Sequence, residues 1–356
     1  MKTIDMNWFK ITLRKLLFLA VFLTFSIASD ASNPASATSI FDEMHYKEVL
    51  ELTIESDFER LKTDRRNEEY QVAKVSFKDK TGELQDWNAK LKLRGRFRRM
   101  FCENLPPLKL KFKKSDLEAA GLATFNDMKL VTQCTPDKYA AQDLIKREYA
   151  TYRLYNEVSE YSFRVQLLKI TYIDINTGDK SREWGFLIED TAQLKSRLDL
   201  EKCDQCYNKP IEAFVGKELR LVSVFQYMIG NSDWGIDQVQ NVKLLLKGDK
   251  IIPIPYDFDF SGLVGAPYAV PLSHIGMTNI RQRIYLGFEE ESTNLYNALY
   301  SLYGNRKKFI DFIGEMKFLY PISREDMQAY LTEFFDDFEN IKTAPHPKSD
   351  WVILSD

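Results

Sequence analysis

The stretch Trp87-Asn-Ala-Lys-Leu-Lys-Leu-Arg94, with its companion Leu108-Lys-Leu-Lys-Phe-Lys113, decides how the chain is read. In the first, Trp87, Ala89, Leu91 and Leu93 alternate with Asn88, Lys90, Lys92 and Arg94. In the second, Leu108, Leu110 and Phe112 alternate with Lys109, Lys111 and Lys113. A period of two sends alternate side chains to opposite faces of a pleated strand. Both segments therefore read as half-buried strands, apolar on one face and basic on the other. Upstream, Tyr70–Phe77 is rich in strand-forming residues and ends in the turn Lys78-Asp-Lys-Thr-Gly82. Downstream, Leu144, Ile145, Tyr149, Tyr152 and Tyr155 recur at helical spacing, giving a helix from Asp143 to about Glu157. Strands at Arg164–Ile175 and Glu183–Ile188 then form a hairpin around Asn176-Thr177-Gly178. Beyond Asp190 the pattern turns helical, with a helix through Leu219–Ile229. Two short strands, Val242–Leu246 and Ile251–Ile254, interrupt it before a mostly helical C-terminal region.

The 356 residues carry 49 Lys and Arg against 52 Asp and Glu, a formal net charge of -3, with 44% hydrophobic residues. Those values exclude a globally basic nucleic-acid binder and a mainly disordered chain. Residues 1–28 read as an export signal: Lys2, Lys10, Arg14 and Lys15 precede the apolar run Leu16–Ala28, which is short for a membrane span. An uncleaved N-terminal anchor is the alternative. Residues 29–39 read as a flexible leader. Removing the signal takes away four basic residues and one acid, leaving a net charge of about -6. The expected location is exported, periplasmic or extracellular, where Cys102, Cys134, Cys203 and Cys206 are free to pair. Cys102–Cys134 and Cys203–Cys206 are the favoured bonds, each within one part of the chain. Cys203-Asp-Gln-Cys206 is less apt for redox chemistry, which usually wants a helix N-terminus to lower the thiol pKa, or for zinc, which needs two more ligands while His45, His274 and His346 are scattered.

The segment 231–262 holds the candidate chemistry. It reads Asn231-Ser-Asp233-Trp, then Gln240-Asn241-Val-Lys-Leu-Leu, then Ile254-Pro-Tyr-Asp257-Phe-Asp259-Phe-Ser-Gly262. A strand hairpin between these blocks brings Asp233, Asn241, Asp257 and Asp259 towards one point. Oxygen ligands of this kind suit a hard divalent cation. Asp-rich turns often serve only the backbone. Here, however, Ile251, Ile252, Ile254, Tyr256, Phe258 and Phe260 surround the acids, and two carboxylates on one face repel unless a cation or donor lies between them. The complementary feature is basic. From Lys90 to Lys114 there are ten Lys and Arg and a single acid, Glu103. That face is either solvated or suited to phosphate; its few aromatics and the expected export argue against nucleic acid.

At these residues the chain resembles the CotH-type atypical protein kinase family. The resemblance rests on Leu93-Arg-Gly95, Leu108-Lys-Leu-Lys-Phe112, the helix around Glu148, Gly185-Phe-Leu-Ile-Glu189, Asn231-Ser-Asp233-Trp and Asn241-Val-Lys-Leu. Its most specific block is Pro255-Tyr-Asp257-Phe-Asp259-Phe-Ser-Gly262. The resemblance implies an α+β, kinase-like two-lobed fold, with a strand-rich N-lobe at 40–190 and a helical C-lobe at 191–356. It implies ATP with Mg²⁺ or Mn²⁺ as cofactors, and phosphoryl transfer to a Ser or Thr hydroxyl of a protein substrate. In that scheme Asp233 is the catalytic-loop aspartate, and Asn241, Asp257 and Asp259 hold metal. Arg94, Lys109, Lys111, Glu148 and Glu189 serve the nucleotide, with Lys109 or Lys111 on the phosphates and Glu148 pairing with the phosphate lysine. Two other readings stand beside it: a non-catalytic, kinase-like binding or scaffold protein, and a metal-dependent hydrolase using Asp233, Asp257 and Asp259. The absence of His near these acids disfavours the hydrolase.

Overall fold

The computed structural model describes residues 38–103, 105–288 and 292–343. The expected export signal and most of the leader lie outside them. Ser39, the leader's last residue, caps the first helix, α1 (Ile40–Met44). Its Oγ accepts from the Asp42 N–H, and the Asp42 carboxylate accepts from the Ser39 N–H, a reciprocal capping box.

Seven strands follow: β1 (Val49–Ser56), β2 (Gln71–Lys78), β3 (Leu84–Leu93), β4 (Leu108–Phe112), β5 (Asp127–Val131), β6 (Val165–Asp174) and β7 (Lys180–Ile188). They close on themselves in the order β1-β2-β3-β4-β5-β7-β6. Neighbours pair antiparallel except at the seam, where β1 runs parallel to β6, from Val49 opposite Leu167 to Ser56 opposite Asp174. Alternation fills the barrel: Leu50, Leu52 and Ile54 of β1, Leu91 and Leu93 of β3, Leu110 and Phe112 of β4, and Leu168 and Ile170 of β6 share one buried cluster. The lysines of β3 and β4 point outward, as their spacing predicts.

This closed barrel corrects the expected fold. The chain is α+β in general terms, but it does not form the two-lobed kinase arrangement. The physical reason lies in β1 and β5. The sequence reading recognised β2, β3, β4, β6 and β7, which without β1 and β5 leave gaps at each end of a sheet. β5 joins β4 to β7 and β1 joins β2 to β6, so the edges disappear.

Helix α5 (Lys138–Asn156) follows the short helices α2 (Phe58–Thr63), α3 (Arg96–Phe101) and α4 (Lys114–Ala119). The Asp137 carboxylate caps it by accepting from the Tyr139 and Ala140 N–H groups. It packs on the outer wall of β6 and β7, where Phe186, Ile188, Val165 and Leu167 join a second core with Tyr149, Tyr152 and Tyr155. Further helices join that core, among them α7 (Gly216–Met228), α9 (Arg306–Glu315) and α10 (Pro321–Thr343). Between α5 and α7 lies α6 (Thr191–Leu198), and α8 (Ser292–Gly304) precedes α9. A three-stranded sheet of β8 (Glu201–Lys202), β9 (Val242–Lys247) and β10 (Lys250–Pro255) carries the acidic segment. The described residues lie in one compact unit.

Both expected disulfides lie at bonding distance, Cys102–Cys134 with Cα atoms 4.4 Å apart and Cys203–Cys206 with 5.7 Å. They fit an oxidising, exported location. Among the described residues no helix is long and apolar enough to cross a membrane.

Candidate active site

The β9–β10 hairpin pairs Val242 with Pro255 and Lys243 with Ile254, so residues entering β9 meet residues leaving β10. The Tyr256 N–H continues the ladder to the Asn241 carbonyl at 3.0 Å. The block after it folds back on the end of α7: the N–H groups of Gly262 and Leu263 donate to the carbonyls of Gly230 and Ile229, each at 3.0 Å. Glycine is required at both positions of this crossing. A Cβ at Gly230 would lie 2.1 Å from the Tyr330 hydroxyl, and one at Gly262 2.4 Å from it.

Phe258 turns into the core against Tyr152, with ring centroids 4.7 Å apart, and the acids flanking it turn the other way. Helix α5 meets them from the opposite side with two residues one turn apart. Tyr152 accepts the Asp257 N–H at 2.7 Å. Glu148 brings a carboxylate, and oxygens of Glu148, Asp257 and Asp259 lie within 4.8 Å of one another. Glu148 and Asp259 are buried, and Asp257 is half-buried. Asp257 has φ +65° and Asn241 φ +49°, left-handed backbone that costs a non-glycine residue of order 1 kcal/mol and concentrates at functional sites.

A guanidinium occupies the centre of this triad. Arg98 Nη2, from α3, lies 3.2 Å from Asp257 Oδ1 and 3.6 Å from Glu148 Oε2, and pairs closely with Asp259 Oδ2. It is the cation that the adjacent acids demand. One positive charge does not balance three carboxylates. Burial, reinforced by Asp259 and Asp257 and only partly offset by Arg98, pushes Glu148 well above the usual carboxylate range. Burial and Asp257 push Asp259 up to about 6 against the pull of Arg98, and the Tyr268 hydroxyl donates to it. Asp257 moves the other way: burial raises it, but Arg98, Arg94 and Lys129 together hold it low. Glu148 Oε1 is buried with no hydrogen-bond partner, an acceptor left unused beside the group.

A second group of charges borders Asp257. Lys129 of β5 stands 4.2 Å over the Tyr256 ring, and Lys243 of β9 lies 5.4 Å from the same ring. Burial, Arg94 and Lys243 push Lys129 down to about 7, with Asp257 opposing. Lys243 is lowered by burial, Arg94 and Lys109. Cations crowded together in this way, with Asp257 as their nearby acid, form a site short of an anion.

Asp233 sits at the edge of the same group. Its carboxylate accepts from Asn241 Nδ2 at 2.8 Å and from Gln240 Nε2, and its carbonyl accepts from Asn241 Nδ2 at 2.7 Å. Burial raises its pKa, with a further contribution from Asp257.

The structure thus gathers Asp257, Asp259, Glu148, Asp233, Asn241 and Arg94, but with different partners from those expected. Asn241 spends its amide on Asp233. Glu148 meets Arg98 rather than a lysine. Lys109 is held by Asp127 at 2.8 Å, and Lys111 leans on the Tyr70 ring; neither pairs with Glu148. Glu189 lies apart, clamped by Arg164 at 3.0 Å and Arg197 at 2.7 Å. Arg98 and Lys129 escaped the sequence reading. Arg98 is one of ten cations in its stretch, and Lys129 is a lone lysine in the short strand β5, whose five residues give only a brief alternation.

No protein-family model and no curated protein matches the chain.

Proposed function

We propose that the protein is an exported, CotH-related phosphotransferase that moves a phosphoryl group from ATP to a Ser or Thr hydroxyl of a protein. The observation that carries this reading is the apposition of a buried three-carboxylate group to a cluster of cations, with Asp233 alongside. A polyphosphate with its divalent cation complements both halves. Glu148, Asp257 and Asp259 have the donor chemistry for Mg²⁺ or Mn²⁺, and the open Oε1 of Glu148 fits such a ligand set. Bound there, the cation would neutralise phosphate oxygens. Arg94, Lys129 and Lys243 would receive the phosphate chain. Asp233, oriented by Asn241 and Gln240, would accept the acceptor hydroxyl's proton as its oxygen bonds the γ-phosphorus and ADP departs. Burial raises the basicity of Asp233 towards that task.

A second reading draws on Arg98. A guanidinium already bridges the carboxylates, which suits a binding or scaffold protein that uses neither nucleotide nor metal.

Thermal melting with ATP and Mg²⁺ separates the two. Nucleotide at about 100 times its Kd stabilises by about 2.7 kcal/mol, and Asp257→Ala should abolish the shift. Asp233→Ala should keep the shift and lose label transfer from ATP. No shift at millimolar ATP with Mg²⁺ or Mn²⁺ would sink the phosphotransferase.

A further inference from the structure

We infer that Arg98 is a built-in counter-ion which holds the divalent-cation position of the acidic triad and has to leave before a metal enters. The inference rests on the metal reading of Glu148, Asp257 and Asp259 and adds to it a regulation of the same site. Its first support is position. A single nitrogen, Nη2, makes all three ion pairs, so the guanidinium end lies among the same oxygens that would face a cation. Two positive charges cannot share that volume. The second support is incomplete satisfaction. Glu148 Oε1 remains without a donor, so one arginine leaves buried acceptor capacity unused, and a divalent cation would use it.

The third support is how Arg98 is carried. It lies on α3, a six-residue helix between a glycine turn and a covalent staple. Gly95 has φ +77° and, apart from Arg98 Cβ at 3.9 Å, nothing near its missing Cβ. At the other end the Cys102 N–H donates to the Arg98 carbonyl at 2.9 Å, and Cys102 is bonded to Cys134. The excursion that contains α3 is closed at its base by the Arg94 N–H on the Pro107 carbonyl at 2.8 Å. Arg98 is thus carried outside the barrel strands, and withdrawing its side chain from the triad breaks none of their ladder pairs. Metal entry and Arg98 occupancy are then mutually exclusive, and affinity for free metal is lowered by whatever Arg98 gains in the triad.

The test is Mn²⁺ binding to the full chain without nucleotide, read by the electron paramagnetic resonance of free Mn²⁺ and by melting temperature. Arg98→Gln should bind Mn²⁺ roughly tenfold or more tightly than wild type. It should melt lower than wild type without metal and recover when Mn²⁺ is added. Arg98→Lys, which keeps a cation but loses the planar fork, should fall between them, and it serves if Arg98→Gln does not fold. Asp259→Asn in the wild-type background should lose Mn²⁺. Equal Mn²⁺ affinity in wild type and the Arg98 variants, with loss in Asp259→Asn, overturns the counter-ion while leaving the metal site standing. Weaker binding in Arg98→Gln overturns it as well. No uptake by any of these proteins overturns both.

Discussion

Lys129 shows how a single residue can work against stability while serving a site. Its ammonium is pushed down to about 7 by burial, Arg94 and Lys243, whereas in the unfolded chain it titrates near the ordinary 10.5. Between those values the native state binds fewer protons than the unfolded state, so stability rises with pH through that window. Below pH 7 the charged form persists in the fold at a cost. Lys129→Met should therefore be more stable than wild type by about 1–2 kcal/mol at pH 6 to 7, a figure discounted for partial solvent contact. The gain should fade as pH approaches 10. The same variant should lose the melting shift given by ATP and Mg²⁺, the signature of a residue kept for function. Chemical denaturation across pH, with and without nucleotide, reads both effects; a destabilised variant would contradict the electrostatic account. Residues of this kind are the least legible in a sequence. Asp257 and Asp259 were legible because acids inside an apolar run need a reason. Arg98 and Lys129 look like ordinary surface cations, and only tertiary placement makes them otherwise.

At the scale of elements, the legible parts were those with strong periodicity. The alternation of β3 and β4 and the helical repeat of α5 located those elements, since burial of one face follows from local pattern, although α5 begins at Lys138, capped by Asp137, rather than at the expected Asp143. The region between them, α3 and its loop, has no such pattern. Its placement comes from the Cys102–Cys134 bond, the Gly95 turn and the ion pairs of Arg98. The bond joins residues 32 apart, and removing it should cost about 4 kcal/mol by loss of loop closure. Replacing both cysteines by serine should lower the melting temperature accordingly. If α3 carries the counter-ion, freeing its end should also increase Mn²⁺ affinity. A variant that is destabilised but unchanged in Mn²⁺ affinity would mean that the staple serves the fold alone.

For the molecule as a whole, the informative error was closure. Leu50, Leu52 and Ile54 alternate with Glu51 and Thr53 in β1, so a strand was visible there in principle. What the pattern does not carry is that β1 pairs with both β2 and the distant β6. An open sheet presents edge strands with unpaired N–H and C=O groups, whereas a closed barrel has none. The two architectures differ in how their backbone amides exchange with solvent. In the closed barrel, β1 is bonded on both sides from Leu52 to Ser56, Leu52 facing Phe77 of β2 and Ile170 of β6. The amides of that doubly paired part should then open only with the barrel, and peptides covering 52–56 should be protected as strongly as those covering β3, near the global stability limit. An edge strand would open locally and exchange orders of magnitude earlier. Leu52→Ala, which removes a side chain only 1% exposed at the seam, should cost about 2–4 kcal/mol. Because closure couples the strands, that cost should speed exchange in β2 and β6 as well as in β1. Exchange that quickens in β1 alone would be the behaviour of an edge, and would argue against the parallel β1–β6 seam as the element that completes the barrel.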